Sequence, residues 1–283
     1  MKTFFLLVLF GLFCPAIHAH PGVGIVMDSQ GNVYYTDLTH VWKINPLTRE
    51  KSVAVKNVHT HELYLDAQDN LYGENLWYEG ERTNKWGHRV WCLRPDGTRV
   101  TIIPATQGFL TNYSFVRDKT GTMYWADRSA KTVIRKRLPD GTIGTHATGP
   151  FADVRWMTCT PDGILYLTDG PDVKRILPDG KVQILARNVR ENRLTKPPVG
   201  NQHALMGLSY DPAGNVYVAV FGGRKVKKIS PTGQVTVVAQ SASPWSPAGV
   251  LADKTGNLWL LEYSAANQAR VRRIYPDGSD TVY

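Results

Sequence analysis

Two histidines and a glutamate fall within one short run, His59-Thr60-His61-Glu62. In an extended strand, residues i and i+2 point to the same side, so we expect His59 and His61 to face the same way. Two imidazoles at this spacing can share a divalent metal ion when a third ligand comes from elsewhere in the fold. The candidates for that third ligand are Glu74, His88 and His203. The alternative is that both histidines form hydrogen bonds around water in a channel.

A second set of residues could carry acid–base chemistry without a metal ion. We expect His61 or His203 to act as the general base and Arg155 to bind an anionic group of the substrate. Carboxylates would supply the general acid or a metal ligand, and the candidates are Glu62, Glu74 and Glu262. Aromatic and amide side chains would contact the substrate, and the candidates are Trp77, Tyr78, Asn112, Tyr113, Trp156, Phe221 and Tyr263. Such a set suits a sugar or another polar small molecule.

A repeated turn indicates which elements must position these residues. An Asp-x-x-Gly-Asn-like turn recurs roughly every 40 to 50 residues, with anchors at Asp28, Asp66, Asp118, Thr160, Asp211 and Asp253. Each anchor is followed by an aromatic and β-branched strand, a further strand, a turn of the Pro-Asp-Gly type and a closing strand. Each unit is thus a four-stranded antiparallel meander, which buries both faces by packing against its neighbours. The sequence predicts an all-β fold, a six-bladed β-propeller over residues 20–283, closed by packing of the first blade on the last.

Two of the repeats resemble a known family. Residues 206–218 and 247–259 resemble the NHL repeat, and the six-bladed design is similar to that of the regucalcin/gluconolactonase superfamily. The second resemblance implies metal ligands at the start of each inner strand, as glutamate, asparagine or aspartate, or as histidine in amidating lyases of similar architecture. The corresponding residues are Val23, His61, Tyr113, Arg155, Met206 and Ala248. Of these, His61 alone matches either ligand pattern.

Long irregular segments fall at one end of the expected propeller. They comprise residues 76–88, 104–112 and 187–203. The order of strands in a meander places the tight turns at the opposite end, so these segments share the face where inner strands begin and second strands end. Long loops on a rigid scaffold usually carry binding or catalysis. We predict an axial pocket on this face, and we expect Asp37, Asp127 and Asp169 at the second-strand ends to hold the adjoining turns.

The N-terminus has the features of an export signal. Met1-Lys2-Thr3 precedes an apolar run, residues 4–13, that is too short to cross a bilayer. We expect residues 1–19 to be removed, which predicts a secreted or periplasmic protein without membrane insertion. The formal net charge of +9 is spread over the repeats, which argues against a nucleic-acid partner. We expect a monomer in which Cys92 and Cys159, from non-adjacent repeats, form no disulfide.

Two functions remain open from the sequence. The first is an exported hydrolase or lyase that acts on a polar small molecule or a sugar derivative, with or without a divalent metal ion. The second is a non-catalytic binding propeller for a glycan, a peptide or a protein partner. Catalysis predicts titratable groups with shifted pKa values that converge in one pocket. Binding predicts an open, aromatic-rich surface on which such groups are dispersed.

Overall fold

Consecutive strands of the chain pair antiparallel and form six sheets, which are the blades of a propeller. The computed structural model describes residues 21–80, 82–190 and 204–283, so the expected signal and His203 lie outside the described residues. Blade 1 contains β1 (Ile25–Met27), β2 (Val33–Thr36), β3 (His40–Ile44) and β4 (Lys51–Lys56). Blade 2 contains β5 (Leu63–Leu65), β6 (Leu71–Tyr78), β7 (Trp86–Leu93) and β8 (Arg99–Gln107). Blade 3 contains β9 (Met123–Asp127), β10 (Val133–Arg137) and β11 (Ile143–Thr148).

The second half of the chain repeats this plan. Blade 4 contains β12 (Val154–Cys159), β13 (Leu165–Asp169), β14 (Asp172–Ile176) and β15 (Val182–Ala186). Blade 5 contains β16 (Leu205–Tyr210), β17 (Val216–Val220), β18 (Lys225–Ile229) and β19 (Val235–Gln240). Blade 6 contains β20 (Ser246–Ala252), β21 (Leu258–Tyr263), β22 (Ala269–Ile274) and β23 (Asp280–Val282). The prediction of an all-β, six-bladed propeller is confirmed.

Helical structure is minimal in the described ranges. It consists of one 3-10 turn, Phe221–Gly223, and no described helix is long and apolar enough to span a bilayer. Cys92 and Cys159 are both free thiols.

The repeated aspartate anchors work by binding the strand that follows them. Asp66 Oδ1 accepts the backbone N–H of Asn70 at 2.9 Å, and its Oδ2 accepts both the Asn70 amide and the Tyr72 hydroxyl. Burial alone would raise the pKa of Asp66, but these hydrogen bonds hold it below its usual value. The same set of bonds recurs at Asp28 and Asp211. This hydrogen-bonded turn therefore starts the second strand in blades 1, 2 and 5, with Gly31, Asp69 or Gly214 before the asparagine.

A second repeated device fixes the far end of the second strand. One position of the third strand, which we call the clamp position, carries a hydrogen-bond donor in every blade: Trp42, Trp91, Arg135, Lys174, Lys227 and Arg272. Trp42 Nε1 lies 2.7 Å from Asp37 Oδ2, and Lys174 Nζ lies 2.5 Å from Asp169 Oδ2. Arg135 likewise binds Asp127. These aspartates therefore hold the backbone of the propeller.

The ring closes between the first blade and the last. The hydroxyl of Tyr263 donates to the carbonyl of Thr36 at 2.8 Å, and Tyr263 is 1% exposed. The largest apolar cluster continues across this junction and includes Ile25, Tyr35 and Trp259. Each of the two blades is made of its own consecutive strands, so packing rather than a swapped strand closes the ring, as expected from the sequence.

Blade 3 differs from the other five in its innermost segment. Residues 113–117 form an isolated bridge, between Arg117 and Met123, in place of a full inner strand. Asn112 has a left-handed backbone conformation (φ 55°), and Ser114 Oγ accepts the backbone N–H of Val116 at 3.0 Å. A side chain that binds nearby backbone competes with strand pairing. This irregular segment leaves an opening on the inner side of blade 3.

Candidate functional site

A cavity of about 790 Å³ opens at the inner side of blades 2, 3 and 4. Its walls are the start of the inner strand of blade 2, the irregular segment 109–116, residues 125–129 and residues 155–157. Ligand pockets of enzymes commonly have volumes of about 300 to 1,000 Å³. Of the three long segments predicted to share one face, 76–88 reaches the cavity wall through Leu76, and 104–112 reaches it through residues 109–112. Most of the third segment, residues 191–203, lies outside the described residues.

The cavity lies to one side of the propeller axis because the residue four positions before each anchor differs between the two halves of the ring. Blades 1, 5 and 6 have glycine there, namely Gly24, Gly207 and Gly249, whereas blades 2, 3 and 4 have Glu62, Ser114 and Trp156. A Cβ on Gly249 would lie 2.5 Å from the carbonyl oxygen of Val23. The backbones of the three glycine blades thus approach one another closely. Larger and polar side chains line the cavity on the other half.

Glu62 is the residue at that position in blade 2. It precedes β5, is partly buried and lines the cavity. Burial raises the pKa of the Glu62 carboxyl to about 7, the negative charge of Glu74 adds to the shift, and the Arg128 guanidinium opposes it. A carboxyl group with this pKa can both give and take a proton near neutral pH.

Glu74 comes from β6 and lies behind the inner strand of the same blade. Its side chain is 5% exposed, and Oε1 accepts the backbone N–H of His61 at 2.6 Å. The same oxygen lies 3.6 Å from Nδ1 of His61. The buried Oε2 atom has no hydrogen-bond partner among the described residues. Glu74 therefore keeps one carboxylate oxygen that is shielded from solvent and has no partner among the described residues.

The clamp donor of blade 2 binds the main chain. Trp91 Nε1 donates to the main-chain carbonyl of Glu74 at 3.0 Å. The residue of blade 2 that is equivalent to Glu262 of blade 6 is Asn75, one position after Glu74. Trp91 carries no charge that would neutralise Glu74, whose side chain lines the cavity.

The two histidines of the sequence motif lie side by side. The rings of His59 and His61 are 4.7 Å apart between centroids, which agrees with the expectation that they face the same way. Burial lowers the pKa of His59, and the neighbouring His61 adds to the shift, while Glu74 and a hydrogen bond to the backbone of Leu38 oppose it. His59 is thus held as a neutral imidazole near pH 7. His61 lines the cavity and His59 lies outside its wall.

The described residues do not provide a metal site. No group of three or more histidine, cysteine, aspartate or glutamate side chains in the described ranges is placed to hold a metal ion. His88, one candidate for the third ligand, is 6% exposed, and its Nδ1 lies 2.7 Å from the carbonyl of Gly108. His203, another candidate, lies outside the described residues.

Two arginines, Arg128 and Arg155, also line the cavity. Arg155 lies at a bulge in β12, between Val154 and Met157, and its Nε is 2.6 Å from Asp153 Oδ1. Bulges commonly redirect a side chain towards a functional site. Arg128, which the sequence analysis missed, donates from Nε and Nη2 to the carbonyl of Val154. The sequence does distinguish Arg128, because it directly follows Asp127 at a position where the other blades have uncharged residues.

The predicted substrate-contact residues divide into three groups. Those in the cavity wall are Asn112, Tyr113 and Trp156. Tyr113 is held in place because its hydroxyl accepts a hydrogen bond from Arg117 at 2.8 Å. Trp77 and Tyr78 belong to the outer end of the β6–β7 hairpin, where the Trp77 ring packs directly on the backbone of Gly87. Phe221 and Tyr263 are buried in the core, 5% and 1% exposed, outside the cavity wall.

Glu262, predicted as a catalytic group, is instead placed within a buried ion-pair network. It is fully buried, with Arg270 Nε 2.7 Å from Oε2 and Arg272 Nη2 3.1 Å from Oε1. The hydroxyl of Ser241 donates to the same carboxylate. The structure therefore brings together His61, Glu62, Glu74 and Arg155 of the predicted catalytic set, and it places Glu262 elsewhere.

Comparison with known proteins relates the fold to other propellers. No family model and no curated protein matches the sequence. A streptogramin B lyase structure is similar at 16% identity and a TM-score of 0.57, covering 95% of this chain and 84% of the other. A gluconolactonase from Xanthomonas campestris is similar at 13% identity and a TM-score of 0.58, covering 86% and 83%.

A calcium-binding protein, regucalcin, from Agrobacterium tumefaciens is similar at 14% identity and a TM-score of 0.55, covering 85% and 81% of the two chains. The expected likeness to regucalcin and gluconolactonase propellers is thus confirmed at the level of the fold. The chain is a six-bladed β-propeller with the architecture of these lyase, lactonase and calcium-binding structures.

Proposed function

We propose that this protein is an exported enzyme of the hydrolase or lyase type, which acts on a polar small molecule or a sugar derivative bound in the cavity of blades 2 to 4. The observation that carries the proposal is the convergence of Glu62, Glu74 and His61 at one cavity wall. Arg128 and Arg155 line the same cavity. Titratable groups gathered in this way are typical of a catalytic site and not of an open binding surface.

Glu62 has the properties needed for proton transfer. Hydrolysis and elimination both require a proton to be removed from one atom and returned to another. A carboxyl group with a pKa of about 7 is populated in both protonation states at neutral pH. We therefore assign Glu62 the role of general acid and base. The fold neighbours that are named lyase or gluconolactonase accord with this class of reaction.

Glu74 and the arginines have supporting roles in this proposal. Glu74 positions His61 through the backbone hydrogen bond and raises the pKa of Glu62 through its charge. Arg155 is free to turn from Asp153 towards an anionic substrate group, because 42% of its side chain is exposed. An arginine aimed at developing negative charge stabilises it.

The proposal includes no step through a metal ion. The resemblance to regucalcin implies a divalent metal, but the described residues do not assemble a set of three ligands. At the six positions that the resemblance marks, His61 is the one matching side chain. Proton transfer by Glu62 needs no such ion.

The location and assembly of the protein follow from separate features. The apolar run at residues 4–13 supports export by a cleaved signal, to the periplasm or the medium. The ring closes within one chain, through Tyr263 and Thr36, which supports a monomer. The dispersed positive charge supports a small-molecule or glycan partner without nucleic acid.

The test is turnover by the mature protein against a panel of lactones, esters and glycosides, with Glu62→Gln as the key variant. Glutamine keeps the size of the side chain and removes its proton chemistry. We expect Glu62→Gln to lower turnover by at least about 100-fold, while Glu50→Gln, an exposed control, leaves it unchanged. Equal turnover by wild type and Glu62→Gln would refute the assignment.

A further inference from the structure

The hairpin of blade 2 extends beyond the other blades and carries a row of aromatic rings. Strands β6 and β7 have eight residues each, whereas β9 and β10 in the next blade have five. Tyr78 ends β6, Trp86 begins β7, and Phe109 follows β8. The additional residues of this hairpin therefore place Tyr78 and Trp86 beside Phe109, which lines the cavity.

The three rings form a row in which Trp86 is tilted against Tyr78 and stacked on Phe109. The centroids of Tyr78 and Trp86 are 4.8 Å apart with an interplanar angle of 37°, and those of Trp86 and Phe109 are 5.3 Å apart at 27°. The backbone holds Phe109 in this place, because Gly108 N donates to the carbonyl of Trp86 and the His88 ring contacts the carbonyl of Gly108. Phe109 is thus fixed to the hairpin.

Phe109 is the last ring of the row and lines the cavity. Its side chain is 61% exposed, although it belongs to a cavity wall. Among the described residues, its ring contact is with Trp86 on one face. The other face is therefore available to a ligand that occupies the cavity.

We infer that the open face of Phe109 is a subsite for a planar aromatic ring of the substrate, whose polar end lies among Glu62, Glu74 and Arg155. This inference rests on the proposed function for the statement that the ligand is a substrate. Aromatic rings prefer offset stacks with centroids about 4.5 to 7 Å apart. A ligand ring on Phe109 would add a fourth member to the row with the spacing that the first three already have.

The arrangement suits a single ring of the ligand. Trp86 lies between Tyr78 and Phe109, and Phe109 is the member of the row that lines the cavity. An aryl ring can continue the row as an offset stack, whereas a saturated sugar ring has no π-system with which to do so.

The experiment compares matched ligands by calorimetric titration of the mature protein. The probes are phenylacetate, cyclohexylacetate and glucuronate, which share a carboxylate and differ in the ring. We expect phenylacetate to bind most tightly, and Phe109→Ala to weaken its binding about 3- to 10-fold. Phe109→Trp should retain the preference. Leu47→Ala, which removes an exposed apolar side chain elsewhere, should change nothing.

Three results would overturn the inference. One is a wild-type protein that shows no preference for phenylacetate over cyclohexylacetate, including one that binds neither. Another is binding of phenylacetate that Phe109→Ala leaves unchanged. The last is tighter binding of glucuronate that depends on Phe109. These binding data do not depend on turnover, so failure of the Glu62→Gln test would be recognised separately.

Discussion

One carboxylate oxygen of Glu74 contacts His61 twice, at 2.6 Å from the backbone nitrogen and at 3.6 Å from Nδ1. The first contact is a hydrogen bond that fixes the start of the inner strand. The second places the imidazole beside a buried negative charge. The equivalent positions in the other blades carry short or apolar side chains, namely Thr36, Ala126, Thr168, Ala219 and Leu261. Blade 2 is therefore the blade with an acidic side chain at this position.

The charge of Glu74 is expected to tune Glu62. Glu74→Gln keeps an oxygen that can accept the His61 hydrogen bond, but it removes the negative charge that helps raise the pKa of Glu62. We predict that turnover falls by roughly 10- to 100-fold and that the limb of the pH profile due to Glu62 moves to lower pH. A fall in turnover with no displacement of that limb would show that Glu74 does not act on Glu62.

The raised pKa of Glu62 also predicts a pH dependence of stability. The unfolded chain releases this proton near pH 4.3, whereas the folded protein holds it up to about pH 7. The folded state therefore binds more protons between these values, and its stability falls as the pH rises through them. Relative to wild type, Glu62→Gln should gain about 3 kcal/mol of unfolding free energy between pH 4.5 and pH 8. Urea denaturation at both pH values measures this gain, and a constant difference between the proteins would contradict it.

The ion-pair network of blade 6 is expected to serve stability and not catalysis. Arg272→Met leaves the fully buried Glu262 with Arg270 as its remaining cationic partner. Breaking a buried ion pair costs about 3 to 5 kcal/mol. We predict a loss of this size in thermal or chemical unfolding, with turnover per folded molecule unchanged. Arg99→Met, on the exposed strand β8, is the control and should stay within about 0.5 kcal/mol of wild type.

The close approach of the three glycine blades predicts that two glycine-to-alanine substitutions differ in their effect on stability. A Cβ on Gly249 would lie 2.5 Å from the carbonyl oxygen of Val23, so Gly249→Ala should push blades 1 and 6 apart. We expect a loss of about 1 to 3 kcal/mol. Gly144 has nothing within 4 Å of the same position, and Gly144→Ala should be tolerated. Similar unfolding free energies for the two variants would contradict this account of the off-axis cavity.

The number of blades and the positions of their turns could be predicted from sequence because each repeat contains the residues that form its own turn. Asp66, Asn70 and Tyr72 form one hydrogen-bonded turn, and the same residue types recur with the same spacing inside the turns at Asp28 and Asp211. The convergence of Glu62, Glu74 and Arg155 was also predictable, since strand order decides which end of a blade each residue occupies.

The roles of other residues depend on side-chain contacts that the spacing of residues in the sequence does not reveal. Whether a carboxylate such as Glu262 is catalytic or structural is decided by the residue at the clamp position opposite it, here Arg272. The place of Arg128 in the cavity was not predicted, because it depends on hydrogen bonds to the carbonyl of Val154 in the next blade. Phe221 was expected near the substrate, but it packs in the core.

Direct observation of the Glu62 ionisation is the measurement closest to the central claim. Carbon-13 labelling of glutamate side chains, with Glu62→Gln to assign the resonance, gives the titration midpoint of this one carboxyl group by NMR. The account predicts a midpoint near pH 7 in the wild-type protein and a lower midpoint in Glu74→Gln. A midpoint near pH 4 in the wild-type protein would show an ordinary carboxylate and contradict the acid–base role of Glu62.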